Sequence, residues 1–563
     1  MIQSSVHALA RLERLRLQSG SAVAVERLRL LRRLERARLR TATQVRCLHE
    51  LLCFARGYPD NILVLRQAVR MLRRFEHRGD LRSHRDELYS SGIVGTMLWF
   101  PFFYPTARWL AARWPDQLRL DRSDTVAEES ITKMLPSLVT PLEAYALRES
   151  HLPGYAALDH LRGKRTDATF LVERVAAMPG NDRTREAFYD AINPSCELMP
   201  GGTTPSRTLA HFSGAERTYR TRPLRSDRPN LREEIGREPR RVRQVTRSVA
   251  RELIDLARAS MATRERDLDA FAYGNAADTW WIDDDDGLAF ALIGTAPERR
   301  IALPAIYGGL SLHNGVPIGY HQSDMIGSTA AVSFNTFETF RGAESAHVFA
   351  RLLATLRALF RCTSFSIEPY QLGDGNDEGI ASGAWWFYYK LGFRPRARAA
   401  KLRVAAETAR LRKDPGRRSS EDVLRALAGH HVFFDLDPAK PGPLVLVAKL
   451  GLAVGSFLGE LHADRAQVLH LASAKAHAVC GMPNLDQLTG LQRHAWDMLC
   501  PLYALLDVRG WTRTERARLM ELVRAKAAAS EREAVRVMAT HPRLLQSLQR
   551  IADRSAIRGK AAT

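Results

Sequence analysis

Residues 330–370 read AAVSFNTFETFRGAESAHVFARLLATLRALFRCTSFSIEPY, and residues 381–396 read ASGAWWFYYKLGFRPR. The aromatic and β-branched run up to Phe340 predicts a strand. Arg341-Gly342 turns the chain. Phe349, Leu352, Leu353, Leu356, Leu359 and Phe360 then recur at helical spacing. A short strand at 363–367 follows, and next a helix carrying Ala384, Phe387, Tyr388 and Leu391. That helix stops at Gly392-Phe393 with Pro395 just beyond, which is good termination chemistry. The order is strand, loop, helix, strand, helix, strand, and it reads as an α/β domain.

Working outward, two hairpins precede this stretch. YGGLSLHNGVPIGY at 307–320 holds Asn314-Gly315 as a two-residue turn between apolar strands. DTWWIDDDDGLAF at 278–290 places Asp283 to Asp286 ahead of Gly287. Four carboxylates in a row offer oxygen ligands to a hard cation, but Asp-Asp-Gly between apolar runs is first a hairpin turn. A helix over 249–267 leads into this region. HHVFFDLD at 430–437 reads as a strand that completes the sheet, and PAKPGP at 438–443 as a linker.

FYYKLGFRP and FNTFETFRGAESA together resemble the core of the GNAT superfamily of acyl-CoA-dependent N-acyltransferases. The first is similar to that family's helix-to-strand signature, the second to its pyrophosphate loop, Gln/Arg-x-x-Gly-x-Gly/Ala. Arg341 and Ala346 stand at the loop's ends, and Glu344 stands where the family has its middle glycine. The resemblance implies a GNAT-like mixed sheet with flanking helices at 263–437, with acetyl-CoA or another acyl-CoA as co-substrate and an unidentified amine as acceptor. Carried over residue by residue, it places the cofactor at Thr336, Phe337, Arg341, Gly342, Ala343, Glu344, Ser345, Ala346 and Ser382. Amides opening a helix suit an anion, and an oriented N–H at Thr336 or Phe337 suits the thioester oxyanion. Tyr388 falls on the tyrosine that protonates the departing thiolate in many members; packing within the aromatic block 385–389 is its other reading. Glu338, two residues past Thr336 and so on the same strand face, and Glu368, ending the next strand, are the candidate bases. Asp324 and His321 are further candidates on the preceding strand. Ala381 stands where the family's helix often carries Asn, leaving that contact to Ser382 or Asn376. The alternative reading is a catalytically degenerate GNAT-like module that acts on nucleic acid or a protein through a basic surface.

The remaining chain gives context. At 563 residues, with 45% apolar and 26% charged residues, the composition is that of a globular protein of several domains. Lys and Arg number 83 against 62 Asp and Glu, a net +21. Arginine spread over every surface accounts for that charge, and attraction to an anionic partner is the rival reading. Residues 1–214 read as mainly helical, with WFPFFYP at 99–105 as a buried turn. Residues 215–262 read as an Arg-rich linker and helix, short of the aromatics that base stacking needs yet suited to phosphate contact. Residues 438–563 read as a helical domain in which His462, His470 and His477 are core or surface histidines. PGGTTPS at 200–206 lacks a following Gly-Lys-Ser/Thr and reads as a plain loop. Six cysteines without Cys-x-x-Cys spacing argue against structural zinc and a disulfide framework. With no signal-type apolar core and no apolar run of about 20 residues, the expectation is a cytoplasmic protein with reduced thiols, without a transmembrane segment or a metal.

Overall fold

The computed structural model describes residues 3–560, except 415, 462–463 and 481–484. Its centre is a nine-stranded mixed sheet. The strands are β1 (Arg241–Gln244), β2 (Gly274–Asp283), β3 (Leu288–Thr295), β4 (Ala305–His313), β5 (Val316–Ile326), β6 (Thr329–Thr336), β7 (Ser364–Ile367), β8 (Arg394–Pro395) and β9 (Val432–Asp435). They lie in the order β8-β9-β7-β6-β5-β4-β3-β2-β1. Only β6 and β7 run parallel; the other neighbours are antiparallel.

The helices needed below are α1 (Ala42–Gly57), α2 (Ile62–Arg73), α3 (Arg247–Ala262), α4 (Ser345–Phe360), α5 (Asp377–Ser382), α6 (Ala384–Lys390), α7 (Arg513–Ala527) and α8 (Arg532–Thr540). A parallel neighbour requires a crossover, and α4 supplies the one between β6 and β7. Its apolar stripe is buried: Phe349, Leu352, Leu353 and Leu356 sit in the same cluster as Phe290, Leu310 and Phe365 of the sheet. Full burial of one such side chain is worth about 1.5–3 kcal/mol.

Both hairpins form. Asn314 and Gly315 each take a positive φ, 50° and 76°, as a two-residue turn of this hand demands. A Cβ at Gly315 would lie 2.3 Å from the Phe212 carbonyl oxygen. At 283–287, Asp286 and Gly287 turn the chain with φ of 56° and 82°, and Asp283 accepts the Trp281 indole N–H at 2.6 Å. The 430–437 segment does complete the sheet, with β9 inserted between β7 and β8.

Three expectations change. The strand expected to reach Phe340 ends at Thr336, and Glu338–Phe340 is a single tight turn. The segment 215–262 is no free linker: β1 pairs with β2, and Arg220 is held by Asp60 at 2.9 Å, both side chains buried. Residues 1–214 contain two separate apolar cores, one from Ala8 to Val94 and one drawn mainly from 98–198. The second includes a three-stranded sheet of Leu98–Phe100, Cys196–Leu198 and Leu118–Leu120. Part of 99–105 is therefore strand rather than turn.

The described part of 444–560 is mainly helical, with its own core around Trp496, Tyr503 and Leu519. His470 is exposed and His477 half-buried on the helix Arg465–Cys480, while His462 lies outside the described residues. Among the described residues, no helix is long and apolar enough to cross a membrane.

Candidate functional site

The site starts where β6 leaves β7. The two pair only from Thr329 to Ala331, against Ser364 to Ser366. Beyond Ala331, β6 is bonded to β5 on one side and, among the described residues, to no strand on the other. Phe337 donates its N–H to the Ile318 carbonyl at 2.9 Å. Because donors alternate along an antiparallel ladder, the Thr336 peptide groups point the opposite way, into the opening. There the Thr336 carbonyl accepts Arg341 Nε at 3.4 Å.

Beside this opening lies a cavity of about 510 Å³. Asn335 to Glu338, Arg341, Glu378 of α5, Arg207 and the 263–266 segment after α3 line it. Glu378 is its organiser. It accepts Arg341 Nη2 at 2.7 Å and Arg266 Nη2 at 3.0 Å, and these bonds, Arg266's foremost, hold its carboxyl below the usual range. Arg266 also reaches the Tyr320 hydroxyl at 3.2 Å. The Arg264 guanidinium lies 3.7 Å from the centre of the Phe337 ring, a cation–π stack. Burial, then the nearby Arg207, pulls Arg264 down to about 9, so it stays charged at neutral pH. The cavity thus combines fixed cations with the ionised Glu378 and with Glu338, whose exposed carboxylate sits 3.3 Å from Arg46.

The sequence-derived residues divide. Thr336 and Ser345 are brought together, hydroxyl to hydroxyl at 3.2 Å. Gly342 takes a φ of 80°, and the Arg341 carbonyl accepts Arg16 Nη2 at 3.2 Å. Glu338 lines the cavity, but from the tight turn and not from the strand face expected for it. Glu368 does not line it; it begins the Pro369–Leu372 turn and acts electrostatically on Asp324 and His431. Burial raises Asp324 to about 6, although Gln322 donates to it at 3.0 Å. His321 is fully buried, and burial lowers it to about 3. Tyr388 is 3% exposed, packed on Phe349 and Phe393 at 5.4 and 5.8 Å between ring centres. Burial drives its phenol well above the ordinary range, and it does not line the cavity. Ser382 bonds the Gly379 carbonyl at 3.1 Å, and Asn376 caps α5 by accepting the Gly379 N–H at 3.2 Å.

The first turn of α4 carries a strap from the Arg-rich segment. The Glu344 carboxylate accepts the Arg225 N–H at 2.9 Å, and Asp227 lies 3.4 Å from His347 Nε2. Between Tyr58, Phe334, Phe340, Glu344 and Ser345 only about 10 Å³ of space is left. Ala343 and Ala346 are half-buried against the sheet core.

Sequence reasoning missed Glu378, Arg266 and Arg264. Nothing in their local pattern marks them, since they meet Arg341 and Phe337 only through the fold. Compared with family models, with curated proteins and with solved structures, the chain matches none.

Proposed function

We propose that residues 263–437 form a GNAT-like domain and that the chain is an acyl-CoA-dependent N-acyltransferase. One observation carries the reading: β6 parts from its parallel neighbour after Ala331 and turns the Thr336 peptide into an opening beside a polar cavity. The insertion of β9 between β7 and β8 is consistent with the same fold. In this reading the pantetheine arm enters between β6 and β7, and the acceptor amine approaches from the cavity. The amine attacks the thioester carbonyl, a C–N bond forms, the C–S bond breaks with its electron pair leaving on the CoA thiolate, and the amine proton passes to Glu338 directly or through water. The Thr336 backbone helps hold the carbonyl. Tyr388 has no part in the reaction so read, because its ring is sealed in the core. Ser382 is left as a helix-end residue.

A second reading is favoured by the strap. Glu344 and its bond to Arg225 occupy the helix start where a pyrophosphate would sit, which suits a fold that has given up the cofactor.

Calorimetric titration of acetyl-CoA separates the two. Saturable one-site binding, weakened at least about tenfold by Ser345→Glu through charge repulsion at the helix start, supports the transferase. Absence of heat at millimolar acetyl-CoA, in protein whose thermal unfolding is intact, retires it in favour of the second reading.

A further inference from the structure

A larger cavity, about 820 Å³, opens between α2 and the 208–217 segment. From α2 it takes Ile62, Leu65, Arg66, Val69, Arg70 and Arg73, with the buried Leu72 beneath them, and the spacing of 3, 4, 7, 8, 10 and 11 residues from Ile62 keeps them on one helix face. The other aliphatic members are half-buried and the arginines exposed. Arg74, Arg217 and Arg56 also line it, and no carboxylate does.

Most of the charges there lack a paired carboxylate. Arg70 has Glu35 at 2.9 Å. Among the described residues, Arg66, Arg73, Arg74 and Arg217 have no carboxylate within ion-pair distance. Arg56 is 7% exposed and donates only to backbone carbonyls, those of Thr208 at 2.8 Å, Ala210 at 2.9 Å and Arg207 at 3.3 Å. Its Nε is buried without a partner. A buried cation without a counter-charge is costly, and neighbouring guanidiniums repel one another. The field is felt by His211 in the same wall: burial, then Arg56 and Arg217, brings it down to about 4.

We propose that this cavity binds a phosphorylated small molecule of nucleotide size. Its phosphoryl groups are held by Arg66, Arg73, Arg74 and Arg217, and its body rests on Ile62, Leu65 and Val69. Several guanidinium forks around one space match an ion bearing more than one phosphoryl group. The volume falls within the ~300–1,000 Å³ of small-molecule sites. The lining has no Phe, Tyr or Trp, so it lacks the stacking platform of a single-strand binder. The inference is independent of the acyltransferase reading.

The test is titration of the full chain with ATP, with inorganic pyrophosphate and with a single-stranded RNA oligomer, at about 0.15 M salt. ATP should bind one to one and pyrophosphate should compete with it. Arg66→Ala/Arg73→Ala/Arg217→Ala should weaken ATP roughly a hundredfold with unchanged thermal unfolding. Lys401→Ala/Arg412→Ala/Lys413→Ala removes the same charge from the exposed face of the Arg398–Lys413 helix and should leave binding as it was. The proposal is overturned if neither ATP nor pyrophosphate binds, or if the two triple variants lose affinity equally. It is also overturned if RNA binds and ATP fails to displace it, which would make the surface a polyanion track.

Discussion

Gly309 and His321 face each other across β4 and β5. A Cβ on Gly309 would lie 1.9 Å from His321 Nε2, so this glycine is fixed by the space its partner fills. Gly309→Ala should therefore cost roughly 3 kcal/mol by overpacking. Gly309→Ala/His321→Ala should cost less than the sum of the two single changes, by about 1–3 kcal/mol of coupling, because the new methyl enters the space the imidazole leaves. Chemical denaturation of the four proteins checks this, and simple additivity would refute it. The pair also has a pH signature. His321 is held at about 3 when folded against about 6.5 unfolded. Between those values the unfolded chain takes a proton that the folded chain refuses, so stability falls as pH falls, by at most about 1.4 kcal/mol per unit. His313 and His211, both brought to about 4 mainly by burial, act in the same direction. Asp324, raised to about 6, acts in the opposite one. The doubly substituted chain should lose the His321 share of the slope and keep the others.

The acidic turn between β2 and β3 illustrates what local sequence can and cannot say about an element. That Asp-Asp-Gly between apolar runs turns the chain is local chemistry, and it was legible. That Asp284 holds Arg351 of α4 at 2.7 Å, both side chains buried, is not local. Arg351 also donates to the Glu234 and Arg237 carbonyls, tying the Arg-rich segment beneath the helix. Asp284→Asn should cost about 3 kcal/mol, because it leaves a buried guanidinium with only the more distant Glu234 carboxylate, at 3.5 Å, as counter-charge. Asp284→Asn/Arg351→Met should recover part of that loss. Urea unfolding followed through the buried Trp281 of β2 would measure both, and equal losses would mean that the pair is not what sets the cost. The same distinction governs the candidate site. The α4 stripe, the Asn314-Gly315 turn and the stop after α6 each rest on residues a few positions apart, so pattern alone found them. The cavity joins Arg341 to Glu378 and Arg266, 37 and 75 positions away, through the crossing of α4 and the end of α3. The strap at 225–227 reads as linker in the sequence, because its arginines look solvated until the fold brings Glu344 and His347 beneath it.

At the scale of the whole molecule, the C-terminal helical body is joined to the sheet through buried charge. Arg300, between β3 and β4, donates to the carbonyls of Lys526 at 2.7 Å and Ala529 at 2.9 Å. The Lys526 ammonium binds Glu531 and the Pro304 carbonyl. Glu531 donates its backbone N–H to Asp278 of β2 at 3.2 Å, and Asp278 takes the Tyr307 hydroxyl at 2.6 Å. All five side chains are buried. Two cations and two carboxylates cancel, which is the condition for such a group to survive out of water. Burial still raises the Glu531 carboxyl and lowers the Lys526 ammonium, so the network tolerates no loss of one partner. Glu531→Ala should leave Arg300 and Lys526 facing Asp278 alone, at a cost of about 3–5 kcal/mol. That loss should fall at the junction between the bodies, since the cores around Phe290 and around Trp496 keep their own packing. In hydrogen exchange, amides at the end of α7 and the start of α8 should open well before those of β3 to β6. Lys526→Met/Glu531→Leu, which removes the ammonium together with the carboxylate, should restore protection there. If Glu531→Ala speeds exchange evenly through sheet and bundle, the two bodies unfold as one unit and the network is no junction; if it leaves exchange unchanged, the buried charges do not hold the bundle to the sheet.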